Sequence, residues 1–394
     1  MPPCEKLAFA DLHREPFRLF FPAATLAGLC GVSLWIPLLL GWTNDYPGTP
    51  HARVMVQGFL AGFIFGFLGT SLPRLLEVPA LTAREVFPLL AVFAGNVGAQ
   101  LAGATALGDG LFAAELAAWF LVLKGRCHAK RDLPPPSFVL VGLSFGCGLA
   151  GTMLFLAGRR GELSAELELL AKLLGYHAFV LLCVLGAGGF LLPRFLGLGV
   201  RRKFPASTTP TPDWLQTARV AGGAGLLIVL TYGLEAFGWP RSAVTLRAAL
   251  IVGYLWHELP LEQLRWTWNG VQWLLVSGLV CLPLGVLASG WLPGWRVALA
   301  HIELLSGFGL ITLGVATRVV FGHSGERTQL ERFHPPLTIA AVLLLLALLN
   351  RLTGDLVPST MASHYLYAAL CWLGGTLLWA TRVLPKVLKP DPEE

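Results

Sequence analysis

The segment SFVLVGLSFGCGLAGTMLFLA (137–157) contains no charged residue in 21 consecutive positions. An α-helix of this length is about 31 Å long, which matches the hydrocarbon thickness of a lipid bilayer. Similar runs recur along the chain and predict about twelve transmembrane helices, at approximately 19–42, 54–74, 86–105, 107–124, 137–157, 170–193, 217–238, 242–257, 269–288, 296–318, 335–352 and 361–383. The predicted fold is therefore all-α, a polytopic integral membrane bundle.

The composition of the chain agrees with this prediction. Of 394 residues, 55% are apolar and 13% are charged, about half the charged share of a soluble domain. A soluble chain of this length could not bury so much apolar surface in its own core, so the lipid bilayer is the predicted partner. The net charge of +6 does not indicate nucleic-acid binding, because Lys and Arg stand in short clusters between the apolar runs.

The distribution of these basic residues predicts the topology. With the N-terminus inside, the inner segments contain 21 of the 29 Lys and Arg residues and the outer segments contain 8. The most basic inner loops are KGRCHAKR (124–131) and RFLGLGVRRK (194–203). Because cytoplasmic loops carry the excess of positive charge, both termini are predicted to be cytoplasmic.

The chain is predicted to be a single transmembrane domain over 1–394. The Pro- and Thr-rich stretch FPASTTPTPDW (204–214) resembles a linker, placed at 205–213, between a first six-helix half (1–204) and a second (214–394). A weak echo between LCVLG (182–186) and LCWLG (370–374) favours such a duplication.

Three predicted helices carry a histidine near one end and an arginine near the other. The pairs are His177 with Arg194, His301 with Arg318, and His364 with Arg382, and they are about 25–27 Å apart along an α-helix. If the arginines mark the inner face, the three imidazoles lie at one depth in the outer half. Imidazoles at one level could bind haem or copper. The alternative is that each histidine is a hydrogen-bonded packing residue.

Two further histidines are candidate metal ligands. His51 opens the second helix, about 9 Å further out than the other three by its distance from Arg74, and could lie at the interface or bind a second, more exposed metal. His257 ends the eighth helix on the inner side. The seven cysteines form no C-x-x-C-H motif, so covalent attachment of c-type haem is not indicated.

Several segments resemble one known family. HIELLSGFGLITLGVATRVVFGHSG (301–325) is similar to the most recognisable segment of the NnrS family, a helix opened by histidine, with a T-R-V element and a closing G-H-T/S-G. HARVMVQGFLAGFIFGFLGTSLPRLL (51–76) resembles the family's second-helix signature, H-x-H-E-M-x-x-G-F followed by G-F-L-x-T-x-x-P. GGFLLPRF (188–195) and REPFRLFFPAA (14–24) resemble looser elements.

The resemblance implies a twelve-helix protein of the bacterial inner membrane that contains haem and copper. It further implies an association with denitrification and with protection from nitric oxide, by binding or by turnover through a redox activity. The second-helix positions fall on His51, Met55, Gly58 and Phe59, and the tenth-helix positions on His301, Thr317, Arg318, Gly322, His323 and Gly325. Arg53 replaces the family's second histidine, so one copper ligand is missing. The haem is expected to be b-type.

Arg318 and His323 are expected to act together at the inner face. They would either neutralise a haem propionate or anchor the tenth helix to the cytoplasmic loops.

Other membrane proteins with twelve helices offer alternative functions. Haem–copper oxidases and nitric oxide reductases use an adjacent His-His pair, and this chain contains no such dipeptide. Secondary transporters of the major facilitator type carry a basic, glycine-containing motif between helices two and three, where this chain has RLLEVPALTARE (74–85). A transporter and a membrane electron-transfer protein remain the alternatives.

Overall fold

The computed structural model describes residues 9–159, 161, 163–266, 269–326 and 334–390, and these contain helices and no strand. We label the long helical segments α1 to α12: Phe17–Leu39, Gly48–Leu75, Ala83–Leu101, Thr105–His128, Pro136–Gly158, Ala165–Phe195, Pro212–Ala236, Pro240–Glu258, Gly270–Trp291, Pro293–Gly322, Pro335–Leu356 and Met361–Val383. The predicted all-α bundle is confirmed.

Nine of these segments, counted over the described ranges, are long and apolar enough to cross a membrane. The segments outside this set are α3, α8 and α12. The chain is therefore a multi-pass membrane protein, while the number of twelve spans stays a prediction.

Several helices extend beyond the apolar runs that predicted them. The span predicted at 107–124 is the helix Thr105–His128, and the span predicted at 296–318 lies within Pro293–Gly322. Hydropathy locates only the part of a helix that lipid would surround, whereas local chemistry sets its ends. At the start of α6, for example, the Ser164 hydroxyl accepts a hydrogen bond from the Leu167 amide.

The contacts between neighbouring helices repeat every four helices along the chain. The pairs α1–α2, α5–α6 and α9–α10 pack closely, and so do the hairpins α3–α4, α7–α8 and α11–α12. The helices α2, α6 and α10 meet at the centre, where an apolar cavity of ≈ 70 Å³ is lined by all three, with Phe63, Cys183 and Ile311 among its walls. The predicted division into halves at 1–204 and 214–394 stays a prediction.

Each central helix contains a π-helical stretch near its start. These stretches are Val54–Leu60 in α2, Leu173–Ala178 in α6 and Ile302–Phe308 in α10. A π turn contains an extra residue and is often found at functional sites. The shared irregularity marks one end of the bundle, which we call the histidine end. We call the opposite end, where these helices finish, the terminal end.

Glycines on the neighbouring helices make room for two of these stretches. A Cβ on Gly285 of α9 would lie 2.3 Å from the Glu303 nitrogen, and a Cβ on Gly151 of α5 would lie 2.4 Å from the Gly175 nitrogen. No side chain fits at such distances. The close approach of these backbones therefore requires glycine.

Candidate metal centre at the histidine end

Each central helix brings one histidine to the histidine end, beside its π-helical stretch. His51 precedes the stretch in α2, His177 lies inside the stretch in α6, and His301 directly precedes the stretch in α10. The sequence pattern grouped His177 with His301 and His364. In the structure, the histidine that joins His177 and His301 on the central helices is His51.

The Nδ1 atoms of these three histidines are all held by oxygen atoms. Nδ1 of His51 lies 2.9 Å from the Gly31 carbonyl oxygen, and Nδ1 of His301 lies 2.7 Å from that of Val297. Nδ1 of His177 lies 2.9 Å from Oε2 of Glu303. Carbonyl and carboxylate oxygens only accept, so each Nδ1 carries a hydrogen, and in the uncharged form of each ring the lone pair lies at Nε2.

The Nε2 atoms are available for coordination. Within the described part of the chain, none of the three has a hydrogen-bond partner. A metal-bound histidine commonly donates its other ring N–H to a carboxylate or a backbone carbonyl, which fixes the tautomer and the direction of the ring. All three side chains have this arrangement.

His364 is prepared in the same way but lies elsewhere in the bundle. Its Nδ1 is 2.9 Å from Oδ1 of Asn350, and the amide group of Asn350 donates its own N–H to the Leu346 carbonyl. Both residues belong to the hairpin α11–α12 rather than to the central helices. The role of His364 as a ligand stays a prediction.

Polar and aromatic groups of α1 and α11 lie near His51 and His301. The two rings are within electrostatic range of each other, and Arg351 is within range of both. The Trp35 ring lies 5.7 Å from the His51 ring, and Arg351 forms an ion pair of 2.8 Å with Asp355. His51 and His301 therefore share one neighbourhood.

The residues present fit haem better than copper. Among the described residues, no three His, Cys, Asp or Glu side chains are grouped so that they could hold a metal ion. Copper sites in proteins are usually built from about three side-chain ligands, whereas haem needs only one or two because the porphyrin supplies four nitrogens. Arg53, in place of the expected second histidine, is bound to Asp109 at 2.6 Å.

Glu303 is a central residue that sequence reasoning missed. Its side chain is buried, Oε2 binds His177, and Oε1 has no hydrogen-bond partner among the residues that the structure describes. A carboxylate two residues after a membrane-depth histidine is costly, and this could have singled it out in HIELLSG (301–307).

A comparison with known families decides the relationship of the chain. The family model described as "NnrS protein" matches residues 11–390. The chain belongs to the NnrS family. It is accordingly an NnrS-type membrane protein, linked to the nitric oxide response. No curated protein matches the chain.

In this NnrS protein, Arg318 and His323 lie at the terminal end. Arg318 donates a hydrogen bond to the Arg194 carbonyl, at 3.0 Å, and its guanidinium lies 5.2 Å from the Phe195 ring. Nδ1 of His323 is hydrogen-bonded to the Glu15 carboxylate. These contacts tie α10 to the end of α6 and to the segment before α1, which favours anchoring over a role at the histidine end.

Glu15 collects positive charge at the terminal end of the NnrS protein. Its oxygens also bind Arg18 and, at 2.6 Å, Arg74. Burial by itself would raise the pKa of Glu15, but the hydrogen bond and charge of His323 and the charges of Arg18 and Arg74 outweigh it and hold the pKa below its ordinary value.

His257 has partners at both ring nitrogens. Its Nδ1 lies 3.0 Å from Oε1 of Glu258, and its Nε2 lies 2.8 Å from Nη2 of Arg202. Because the Nε2 lone pair accepts from Arg202, the ring is oriented toward a cation. The metal-ligand role of His257 stays a prediction, and the contacts point to a different one.

Proposed function

We propose that this NnrS protein binds b-type haem at its histidine end, with His301 as an axial ligand, and that it binds nitric oxide there. The observation that carries the proposal is the state of the His301 ring. Its Nδ1 is fixed by the Val297 carbonyl at 2.7 Å, so its Nε2 presents a lone pair in a fixed direction.

The second axial position has two candidates on the central helices. His177 is held by Glu303, a carboxylate that raises the basicity of the ring, and His51 shares the neighbourhood of His301. One histidine ligand would leave a coordination position open for nitric oxide. Two ligands would favour electron transfer, which is the alternative function.

The central cavity is consistent with a small apolar ligand. It is lined by apolar side chains of α2, α6 and α10, beginning six residues beyond His177 and ten beyond His301. Nitric oxide is a small molecule of low polarity, so it enters such a space at little cost, whereas water finds few partners there. Haem, when bound, would supply the iron to which nitric oxide coordinates.

Purification followed by spectroscopy tests the proposal. The protein from a haem-replete host should show b-type haem in the pyridine haemochrome assay and a shift of the Soret band when nitric oxide is added to the reduced form. His301→Ala should lose haem or change its spin state. His51→Ala should keep most of the haem spectrum if His177 is the second axial ligand and change it if His51 is, and it should lower any bound copper. His128→Ala, at the exposed last residue of α4 at the terminal end, is the matched control.

Three outcomes would contradict the proposal. A colourless protein without haem would favour a transporter, and full haem with an unchanged Soret band in His301→Ala would exclude His301 as a ligand. Retained haem that does not respond to nitric oxide would favour electron transfer.

The proposal includes a location in the bacterial inner membrane with both termini in the cytoplasm. It is supported by the 21 to 8 distribution of basic residues over the two sides. Reporter fusions to the connection between α4 and α5 (129–135) and to the connection between α5 and α6 (159–164) should report opposite sides.

A further inference from the structure

A second cavity, of ≈ 390 Å³, lies at the terminal end of the bundle. Its wall is formed by the ends of α2, α6 and α8, the starts of α5 and α7, and the chain segments that connect α4 to α5 and α6 to α7. It is far from the histidine end, so it does not depend on the proposed haem.

Four cations line this cavity: Arg194, Arg201, Arg202 and Lys203. Arg201 is neutralised by Glu262, at 2.9 Å. The other three have no carboxylate partner among the described residues. Arg194 bonds the Phe190 carbonyl, at 2.5 Å, and Arg202 bonds the hydroxyl of Thr217, at 3.3 Å. These neutral acceptors leave the positive charge uncompensated.

The two carboxylates in the wall are already engaged. Oδ1 of Asp132 accepts the backbone N–H groups of Leu133 and Ser207, at 2.7 and 2.9 Å. Oε1 of Glu258 accepts from Nδ1 of His257. The cavity therefore contains more positive than negative charge, and neither carboxylate binds one of the four cations.

His257 and Glu258 position one of the cations. Glu258 holds the N–H of the imidazole, so the opposite nitrogen, Nε2, accepts from Arg202 at 2.8 Å. The guanidinium of Arg202 is thereby fixed by two contacts, through Nη1 and Nη2, and its remaining N–H groups are available to a ligand. The two hydrogen bonds give His257, a candidate metal ligand in the sequence, a role in positioning Arg202.

One wall of the cavity is apolar and aromatic. Phe190, Phe204 and Trp214 contribute to it, and the Trp214 indole donates to the Pro134 carbonyl at 3.0 Å. Tryptophan beside basic residues is typical of the membrane interface, where headgroups meet acyl chains.

We propose that this cavity binds a phosphate group, carried by an anionic phospholipid or present as free phosphate. A guanidinium fork and a mobile ammonium together match the oxygens of a phosphate. Basic pockets between transmembrane helices at the cytoplasmic side bind phospholipid headgroups, and the aromatic wall would contact the glycerol and the upper acyl chain.

Native mass spectrometry in detergent tests this inference on the purified full-length protein. Phosphatidylglycerol is added as the anionic probe and phosphatidylcholine as the zwitterionic control, and phosphatidylglycerol is expected to remain bound at lower concentrations. The double variant Arg202→Gln, Lys203→Gln should bind phosphatidylglycerol at least about tenfold more weakly, because each cation near an anionic headgroup contributes measurably.

A matched variant distinguishes the effect of the cavity cations from the effect of the overall positive charge. Lys124→Gln, Lys130→Gln removes the same charge from the end of α4 and from the connection that follows it, outside the cavity. It should bind phosphatidylglycerol as the unmodified protein does. Lys203→Gln alone removes an exposed side chain and provides a variant that folds even if the double variant does not.

Inorganic phosphate distinguishes the two sources. If millimolar phosphate raises the midpoint of thermal unfolding and displaces phosphatidylglycerol, and both effects require Arg202 and Lys203, free phosphate is the ligand. If phosphatidylglycerol binds and phosphate does not, the ligand is the lipid. The inference fails if neither probe binds, or if the control variant weakens binding as much as the cavity variants do.

Discussion

The Nδ1 atom of His177 lies 2.9 Å from the Oε2 atom of Glu303, and this bond joins α6 to α10 across the centre of the bundle. Both residues lie in π-helical stretches, so the two irregular segments meet through their side chains. The pair fixes the direction of the His177 ring from the neighbouring helix. The histidine end is thus built by contacts between segments far apart in sequence.

Glu303→Ala should lower haem affinity if His177 is a ligand. Loss of a carboxylate that orients a metal-bound histidine costs about 10–100-fold in affinity. Glu303→Gln, which retains an acceptor oxygen, should lose less. Haem titration of the apoprotein measures both variants, and an unchanged affinity in Glu303→Ala would leave His301 and His51 as the ligands.

Asp109→Ala should destabilise the fold by about 3–5 kcal/mol, because it leaves a buried arginine without its counter-charge. Arg53 is bound to Asp109 at 2.6 Å, and its guanidinium lies 3.6 Å from the Phe155 ring. Unfolding in detergent with increasing denaturant measures the change.

The double variant Arg53→Met, Asp109→Leu is the control for this pair. It removes both charges and should cost much less than Asp109→Ala. If both variants lower the free energy of unfolding by the same amount, the charges of the ion pair add nothing to the stability that its packing provides.

Gly285→Ala should destabilise the protein by about 1–3 kcal/mol, the usual cost of overpacking a close contact. The added Cβ would meet the backbone of Glu303 at 2.3 Å and displace the π-helical stretch of α10. Haem content should fall together with the unfolding midpoint. Gly253→Ala in α8 is the control, because its Cβ has nothing within 4 Å. Equal behaviour of the two variants would contradict the prediction.

The ion pairs of Glu15 predict a loss of stability in acid. Because the pKa of Glu15 is lower in the folded protein than its ordinary value of 4.5, its contribution is complete above 4.5 and is lost as the pH falls through the folded value. Glu15→Gln should be less stable by about 2 kcal/mol at neutral pH, the scale of hydrogen bonds to charged groups.

Unfolding of the two proteins as a function of pH checks this expectation. The stability difference between the original protein and Glu15→Gln should shrink below pH 4.5. A difference that stays constant down to pH 3 would mean that the charge of Glu15 does not stabilise the fold.

The sequence predicted the helices well and the contacts between them poorly. Long apolar runs such as 335–352 correspond directly to helices, because hydropathy and helix formation agree in such segments. The span predicted at 242–257 contains the charged residue Arg247, which lies in the helix Pro240–Glu258 and forms a buried ion pair of 2.7 Å with Glu235 of α7. The compensating charge is on another helix, so no local pattern reveals it.

The candidate site was predicted in part. The helix-length spacing drew attention to His177 and His301, and the structure brings both to the central helices. Glu303 was missed, and so was the closeness of His51 to His301. Depth was estimated with an α-helical rise of 1.5 Å per residue, whereas His51, His177 and His301 stand in or beside π turns.

A π turn differs from an α turn by a single added residue. Deleting one residue from Ile302–Phe308 would remove the extra residue, restore regular α-helix there and leave His301 at nearly its present angle to Thr317 and Arg318, because the π turn already absorbs that residue. Deleting one residue from the regular helix Gly309–Gly322 instead would rotate His301 relative to Arg318 by about 100° around the helix axis. The loss of one codon would therefore turn the histidine away from its neighbours in the regular part of α10, but not in its π-helical stretch.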